Sequence, residues 1–470
     1  MIALVSLNTA ALAAEVTADT TADSELLSPE QIRADFKQLY QSLKRAHYDL
    51  YANISAADYT AAYEDYLEQF TQPQSRDQVN LRFQQFMALG KVAHAKIDLP
   101  MHAFQAFREQ GGKAFPLYIK VVGEQIYVSE NYSTETIPLG AQLISIDGVA
   151  IGEYLARLKR YLSADTEIMA NGFLEFYLPM LIWFEYGAQE HFFVTYQSAE
   201  AKRVTRKVAA MSRTAMQALE TSGPERLELG MEREFRMLDG QVGYLRPGPF
   251  FNTDPNAKDL WDTTSFKIFI DSAMQSFGEN QAQALLIDLR NNPGGSNSFS
   301  DYMLQQIAHK PFQFAAQFSV KVSPESIAAN AKRLANAAQA KDSFSLKIAA
   351  EYAARKTGDV FAYSIETVEP LSSGRFTKPV YVLTNRHSYS NAVFVAAIVQ
   401  DYGFGTIIGE ETADLATTYG AMEHFELEHS KLTVGYPKAL IIRPSGDNTI
   451  RGVVPDIAIA TPLIETRDDP

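Results

Sequence analysis

The run Ala284-Leu-Leu-Ile-Asp-Leu-Arg290 constrains this chain more than any other segment. A strand that is apolar at nearly every position, rather than at alternate ones, is buried on both faces of a sheet. Pro379-Val-Tyr-Val-Leu383 and Thr406-Ile-Ile408 read the same way, and helical patterns at 264–277, 299–308 and 391–402 alternate with them. Such alternation specifies a sheet of parallel strands covered by helices, so the C-terminal half is predicted to be α/β. Sites in open sheets of this kind form just past the carboxyl ends of the strands. Two loops hold that position: Asp288-Leu-Arg-Asn-Asn-Pro-Gly-Gly295 and Asn385-Arg-His-Ser-Tyr-Ser-Asn-Ala392.

The N-terminal half has a different texture. Ser28-Pro29-Glu30-Gln31 combines an N-cap Ser, a Pro at the first helical position and a Gln that closes a capping box, and apolar residues then recur at helical spacing. Further helices are predicted at 56–70 and 77–89, the second ended by Gly90. Residues 28–110 are therefore expected to form a helical N-terminal domain. Short strands follow at 117–122, 125–128 and 142–146, then an Asp147-Gly148 turn, a helix at 151–161, and strand-like runs at 191–196 and 203–208. Residues 111–225 resemble a PDZ domain, which binds extended peptide by strand addition at a sheet edge. Residues 226–470 hold the α/β core, with an Ala/Lys-rich helical insertion at 323–357 expected over the site and a hairpin at 432–436 and 439–443.

Residues 1–14 are apolar and end in Ala11-Leu12-Ala13-Ala14, the pattern of a signal-peptide remnant, and the polar stretch 15–27 is expected to be a disordered linker. A periplasmic or secreted location follows. No other segment approaches the ~18 apolar residues of a membrane span. The chain of 470 residues carries a net charge of −14, which argues against nucleic acid or an anionic membrane as a partner. It has no cysteine, which excludes disulfides, a thiol nucleophile and thiolate-held metal. No cofactor or metal is expected.

Each loop has an ordinary reading beside a chemical one. Asn-Asn-Pro-Gly-Gly is a Gly-rich turn, yet its exposed amides suit an anion or a developing oxyanion. Ser388 or Ser390 could simply cap the helix that follows. Alternatively, a Ser at a helix N-terminus, after a buried strand, occupies the place of a nucleophile elbow, although Gly-x-Ser-x-Gly is absent.

Their order is what makes them specific. A strand ending Asp-Leu-Arg-Asn-Asn-Pro-Gly-Gly, then Ser-x-Ser-x-Ala, Gln400-Asp-Tyr-Gly403, Ile408-Gly-Glu-Glu-Thr412 and a terminal Gly452-Val-Val-Pro-Asp456 resembles the tail-specific, or carboxyl-terminal processing, serine peptidases. The resemblance implies a ClpP/crotonase-like core with Ser390 as nucleophile, and an oxyanion hole built from the Asn391 amide and that of Gly294 or Gly295. It also implies a departure. Leu415 stands where the Ser–Lys branch carries its Lys, and Leu cannot accept a proton. The tricorn-core-like branch uses Ser–His–Glu, and its His falls on His94 in Gly90-Lys-Val-Ala-His-Ala-Lys-Ile97. The orienting acid is then assigned to Asp447, with Glu423 and Glu426 as substitutes. His387 is read as a solvated loop residue, and His424 and His429 are not spaced as a helical metal pair. The implied function is a periplasmic serine endopeptidase acting on peptide or protein substrates through an acyl-enzyme. The alternatives are an inactive binding protein carrying a peptide or hydrophobic ligand, and an esterase-type hydrolase.

Overall fold

The two loops emerge side by side because the strands that carry them are hydrogen-bonded neighbours. Strands β10 (Ala284–Asp288) and β13 (Val380–Thr384) pair in parallel, with Asp288 opposite Leu383. They are central in a six-stranded sheet of order β17-β14-β13-β10-β9-β8. Its other members are β8 (Glu234–Leu238), β9 (Val242–Arg246), β14 (Thr406–Gly409) and β17 (Ile457–Ala458). All neighbours run parallel except β8, which closes one edge antiparallel to β9. The computed structural model describes residues 26–463 apart from 199, 221–229, 240, 258 and 337–342. The expected leader at 1–14, most of the linker at 15–27 and the boundary at 225/226 lie outside the described residues.

The helices α8 (Thr264–Glu279), α9 (Asn297–Gln305) and α12 (Asn391–Tyr402) cover this sheet. Phe266, Phe277, Phe299, Val393 and Val399 are fully buried against Leu285, Ile287 and Val382. Each such side chain taken from water contributes about 1.5–3 kcal/mol. Gly243 makes room for Phe277, whose ring would lie 2.8 Å from an added Cβ.

In the middle unit, β2 (Leu117–Val122), β3 (Gln125–Asn131), β4 (Gln142–Ile146), β5 (Val149–Ala150), β6 (His191–Gln197) and β7 (Arg203–Ala209) form a second sheet. The helices α5 (Ile151–Lys159) and α6 (Glu167–Tyr186) pack on it. Helix α6 was not anticipated: it is apolar almost all round, so it lacks the one-sided stripe that betrays a surface helix.

The N-terminal helices α1 (Pro29–Ala46), α2 (Ala56–Gln69) and α3 (Arg76–Ala88) form as expected, α1 behind the reciprocal Ser28–Gln31 capping box. They are not self-contained. Leu427, Leu432, Val434 and Tyr436 from the far end of the chain complete their core. The two-residue strand β1 (Lys96–Ile97) pairs with β16 (Thr433–Ile442), Lys96 opposite Gly435. The hairpin expected at 432–443 is therefore corrected to one continuous strand, whose antiparallel partner is β15 (Thr418–Glu426). Pro437 is accommodated within it, opposite Met422, instead of turning the chain. The insertion forms α10 (Pro324–Ala335) and α11 (Ser343–Ala353), which lie on this third sheet.

Candidate active site

Asparagine side chains fasten the two strand-end loops together. Asn385 Oδ1 accepts from the Asn291 amide at 3.1 Å, and Asn385 Nδ2 donates to Asn291 Oδ1 at 2.8 Å. The Tyr389 amide donates to the Asn292 carbonyl at 2.9 Å. Asn292 Oδ1 accepts from the Gly294 amide at 2.9 Å. All three asparagines are nearly or wholly buried, so these bonds replace water rather than compete with it.

The two serines of Ser-Tyr-Ser separate cleanly. Ser388 is fully buried; its Oγ donates to the Leu289 carbonyl at 2.8 Å and accepts from the Asn385 amide at 3.1 Å. It is a brace between the loops. Ser390 takes the N-cap position of α12, yet its hydroxyl makes no capping bond. Its backbone lies at φ 53°, ψ −123°, a conformation that L-residues rarely adopt and that costs of order 1–3 kcal/mol. What holds it there is Asp414, whose Oδ2 accepts from the Ser390 amide at 2.6 Å.

The glycines explain themselves by contact. Gly294 has φ +83°, and a Cβ built on it would lie 2.7 Å from the Asn391 amide nitrogen and 2.8 Å from Ser390 Cβ. Gly295 has φ +139° and forms a bridge to Phe250, whose carbonyl a Cβ would strike. Since Asn292 engages the Gly294 amide, the donors left for an oxyanion are the amides of Gly295 and Asn391, neither paired among the described residues.

His94 arrives from the N-terminal unit on the loop between α3 and β1. Its ring stacks on Tyr389, the residue before Ser390, with centroids 6.5 Å apart and planes 22° off parallel. Nδ1 is buried and has no hydrogen-bond partner among the described residues. Burial lowers the pKa of His94; the Asp414 carboxylate opposes that shift, Lys96 adds to it, and the Tyr419 main chain opposes it. Asp414 is itself buried, which raises its pKa, against the effect of His94 and of the Leu415 and Ser390 amides. Nucleophile loop, histidine and carboxylate thus share one enclosure.

The acid the sequence assigned is elsewhere. The Asp447 carboxylate caps its own turn, taking the Thr449 amide at 2.9 Å and the Thr449 hydroxyl at 2.6 Å, and its charged neighbours are Arg443 and Arg451. Glu423 is committed to Arg333 and to Lys438, and Glu426 is exposed beside Lys431. The carboxylate that faces His94 is Asp414. It stands one residue before Leu415, in the segment read only for its missing Lys. The terminal Gly-Val motif braces this segment: the Val453 amide donates to Thr412 Oγ1 at 2.9 Å, and Thr412 Oγ1 donates to the Asp414 carbonyl at 2.8 Å.

His387 is not solvated. Its Nε2 lies 3.1 Å from Glu175 Oε2 of α6, in a patch where Arg386 also bonds Glu175, Glu410 and the Val121 carbonyl. The nucleophile loop is thereby tied to the middle unit.

The parallel α/β sheet thus brings together paired strand-end loops, a strained serine at a helix N-terminus and, beside it, amides left unpaired among the described residues. The model of peptidase family S41 matches residues 242–459, just under half of the chain and the stretch that holds this core. In fold the chain is similar to mature CPAF complexed with lactacystin, at 15% identity over 92% of this chain and 94% of that one, TM-score 0.64. A second structure of mature CPAF gives 16% identity, 92% of each chain and TM-score 0.62. An uncharacterized protein of Chlamydia muridarum (strain MoPn / Nigg) is 26% identical over 161 residues, 28% of this chain and only 27% of that relative's length.

Proposed function

We propose that this protein is a serine endopeptidase in which Ser390 attacks the scissile carbonyl and forms an acyl-enzyme. His94 takes the Ser390 proton as general base and returns it to the leaving amine. Asp414 stabilises the imidazolium formed in between, and the Gly295 and Asn391 amides receive the oxyanion. The single observation that carries this reading is the conformation of Ser390. A strained, uncapped serine is held at a helix N-terminus by the same carboxylate that neighbours His94, the histidine stacked on Tyr389 of its loop. The middle unit is proposed to receive extended peptide in the manner of a PDZ domain, and the location to be periplasmic or secreted.

The test is cleavage of casein and of a fluorogenic peptide library by the full chain and by Ser390→Ala and His94→Ala. Loss of cleavage in both variants, with unchanged melting temperature, is the expected result. Leu415 in place of a lysine keeps one alternative open, a binding protein on the same scaffold. Ligand binding without any Ser390-dependent cleavage would establish that alternative.

A further inference from the structure

The main chain on both sides of His94 is fastened by a single short segment, Ser163-Ala164-Asp165, between α5 and α6. Asp165 Oδ2 accepts from the Ala93 amide at 3.1 Å, and Ser163 Oγ donates to the Ala95 carbonyl at 2.7 Å. Gln84 of α3 completes the arrangement. Its Nε2 donates to Ser163 Oγ at 3.1 Å and to the Tyr161 carbonyl at 3.0 Å, while its Oε1 accepts from the Ile97 amide at 2.7 Å. Ser163 and Gln84 are both buried.

This geometry separates two duties. The helical unit carries His94, but the middle unit decides where it sits. Ala93, the residue before His94, belongs to a small apolar cluster with Ala164, Met169, Ala170 and Ala413, against which Phe173 and Tyr389 pack. The ring has Tyr389 and the Tyr419 main chain against it, and the two backbone bonds on either side of the residue set the path of the chain that carries it. Burial raises the Asp165 carboxyl to about 7, with the Ala93 amide opposing and Asp414 adding to the rise. A buried carboxyl is costly to fold around, and its direct contact is the residue next to His94.

We propose that Asp165 and Ser163 are positioning residues that together fix the His94 ring against Tyr389 and Asp414, so that the middle unit sets the reactivity of the base. The proposal takes from the preceding reading only that His94 is the base. It is tested with Asp165→Ala, Asp165→Asn and Ser163→Ala in the full chain, by NMR of histidine-ring labelled protein and by steady-state kinetics on a peptide substrate. In Asp165→Ala the His94 ring resonances are expected to move or broaden. There kcat should fall about tenfold or more, since small misplacements of reacting groups are costly, with KM changed less than about twofold. Asp165→Asn keeps an oxygen for the Ala93 amide and should recover most of both. Ser163→Ala, the milder change, should move the same resonances in a protein that folds. His94 resonances unmoved in both alanine variants would overturn the proposal. Moved resonances in a protein whose parent shows no Ser390-dependent turnover would support the clamp while removing the peptidase reading.

Discussion

The Ser390 amide donates to Asp414 Oδ2 at 2.6 Å, so the carboxylate that holds the nucleophile's backbone in its strained conformation is also the one that faces His94. Asp414→Ala is expected to remove both supports and to lower kcat by about 10²–10⁴-fold, the range set by losing or neutralising the acid of a triad. Asp414→Asn keeps an oxygen for the Ser390 amide but no charge, and should fall between the alanine variant and the parent. Steady-state kinetics on one peptide substrate decides this; equal rates in all three would remove Asp414 from the site.

Gly294 is predicted to tolerate no side chain. Its φ of +83° and the 2.7 Å approach of an added Cβ to the Asn391 nitrogen place a methyl group where the oxyanion would sit. Gly294→Ala should lose about 10²–10³-fold in kcat, comparable to removal of an oxyanion donor. Its melting temperature should also fall, because that φ is unfavourable for alanine. Full activity in a folded Gly294→Ala protein would contradict the assigned hole.

Burial holds His94 below the ordinary histidine pKa, so its neutral, proton-accepting form persists to lower pH than in an exposed histidine. The sign follows directly: activity is lost as pH falls through the His94 pKa. The acid limb of kcat/KM should therefore lie below ~6.5. Asp414→Asn removes a charge that opposes the lowering and should move the limb further down. A limb above the ordinary value, or one unmoved in that variant, would speak against His94 as the base.

Arg386 bonds Glu175 and Glu410 with all three side chains largely out of water, at 14%, 8% and 16% exposure. The Glu410 carboxyl is buried, but Arg386 outweighs that and holds its pKa down at about 2. Arg386→Ala leaves two carboxylates without this partner and should cost about 3–5 kcal/mol in chemical unfolding, the scale of a broken buried pair. A loss within about 1 kcal/mol would show the link to be no stronger than a surface ion pair.

The core sheet was legible because β10, β13 and β14 are written as unbroken apolar runs, and the loops after them carry their own signatures. Ser390 was singled out by motif position, and the backbone strain at φ 53° is the physical trait behind that choice. The Asp414 role was not legible. Its partners are an amide 24 residues earlier and a histidine brought in from the N-terminal unit, and no periodicity encodes such a meeting. The same holds for β1, whose partner on β16 lies at the other end of the chain. Helix α6 is hard to read because its apolar surface has no stripe, and the hairpin expected at 432–443 is one strand that continues through Pro437.

The most direct measurement is covalent labelling with a fluorophosphonate, followed by intact mass and peptide mapping, on the parent, Ser390→Ala and Ser388→Ala. A single adduct on Ser390 is expected in the parent and none in Ser390→Ala. Ser388→Ala should still be labelled on Ser390, with a stability loss of about 1–3 kcal/mol from the unmet Asn385 amide and Leu289 carbonyl. An unlabelled parent, or an adduct that survives Ser390→Ala, would contradict Ser390 as the nucleophile.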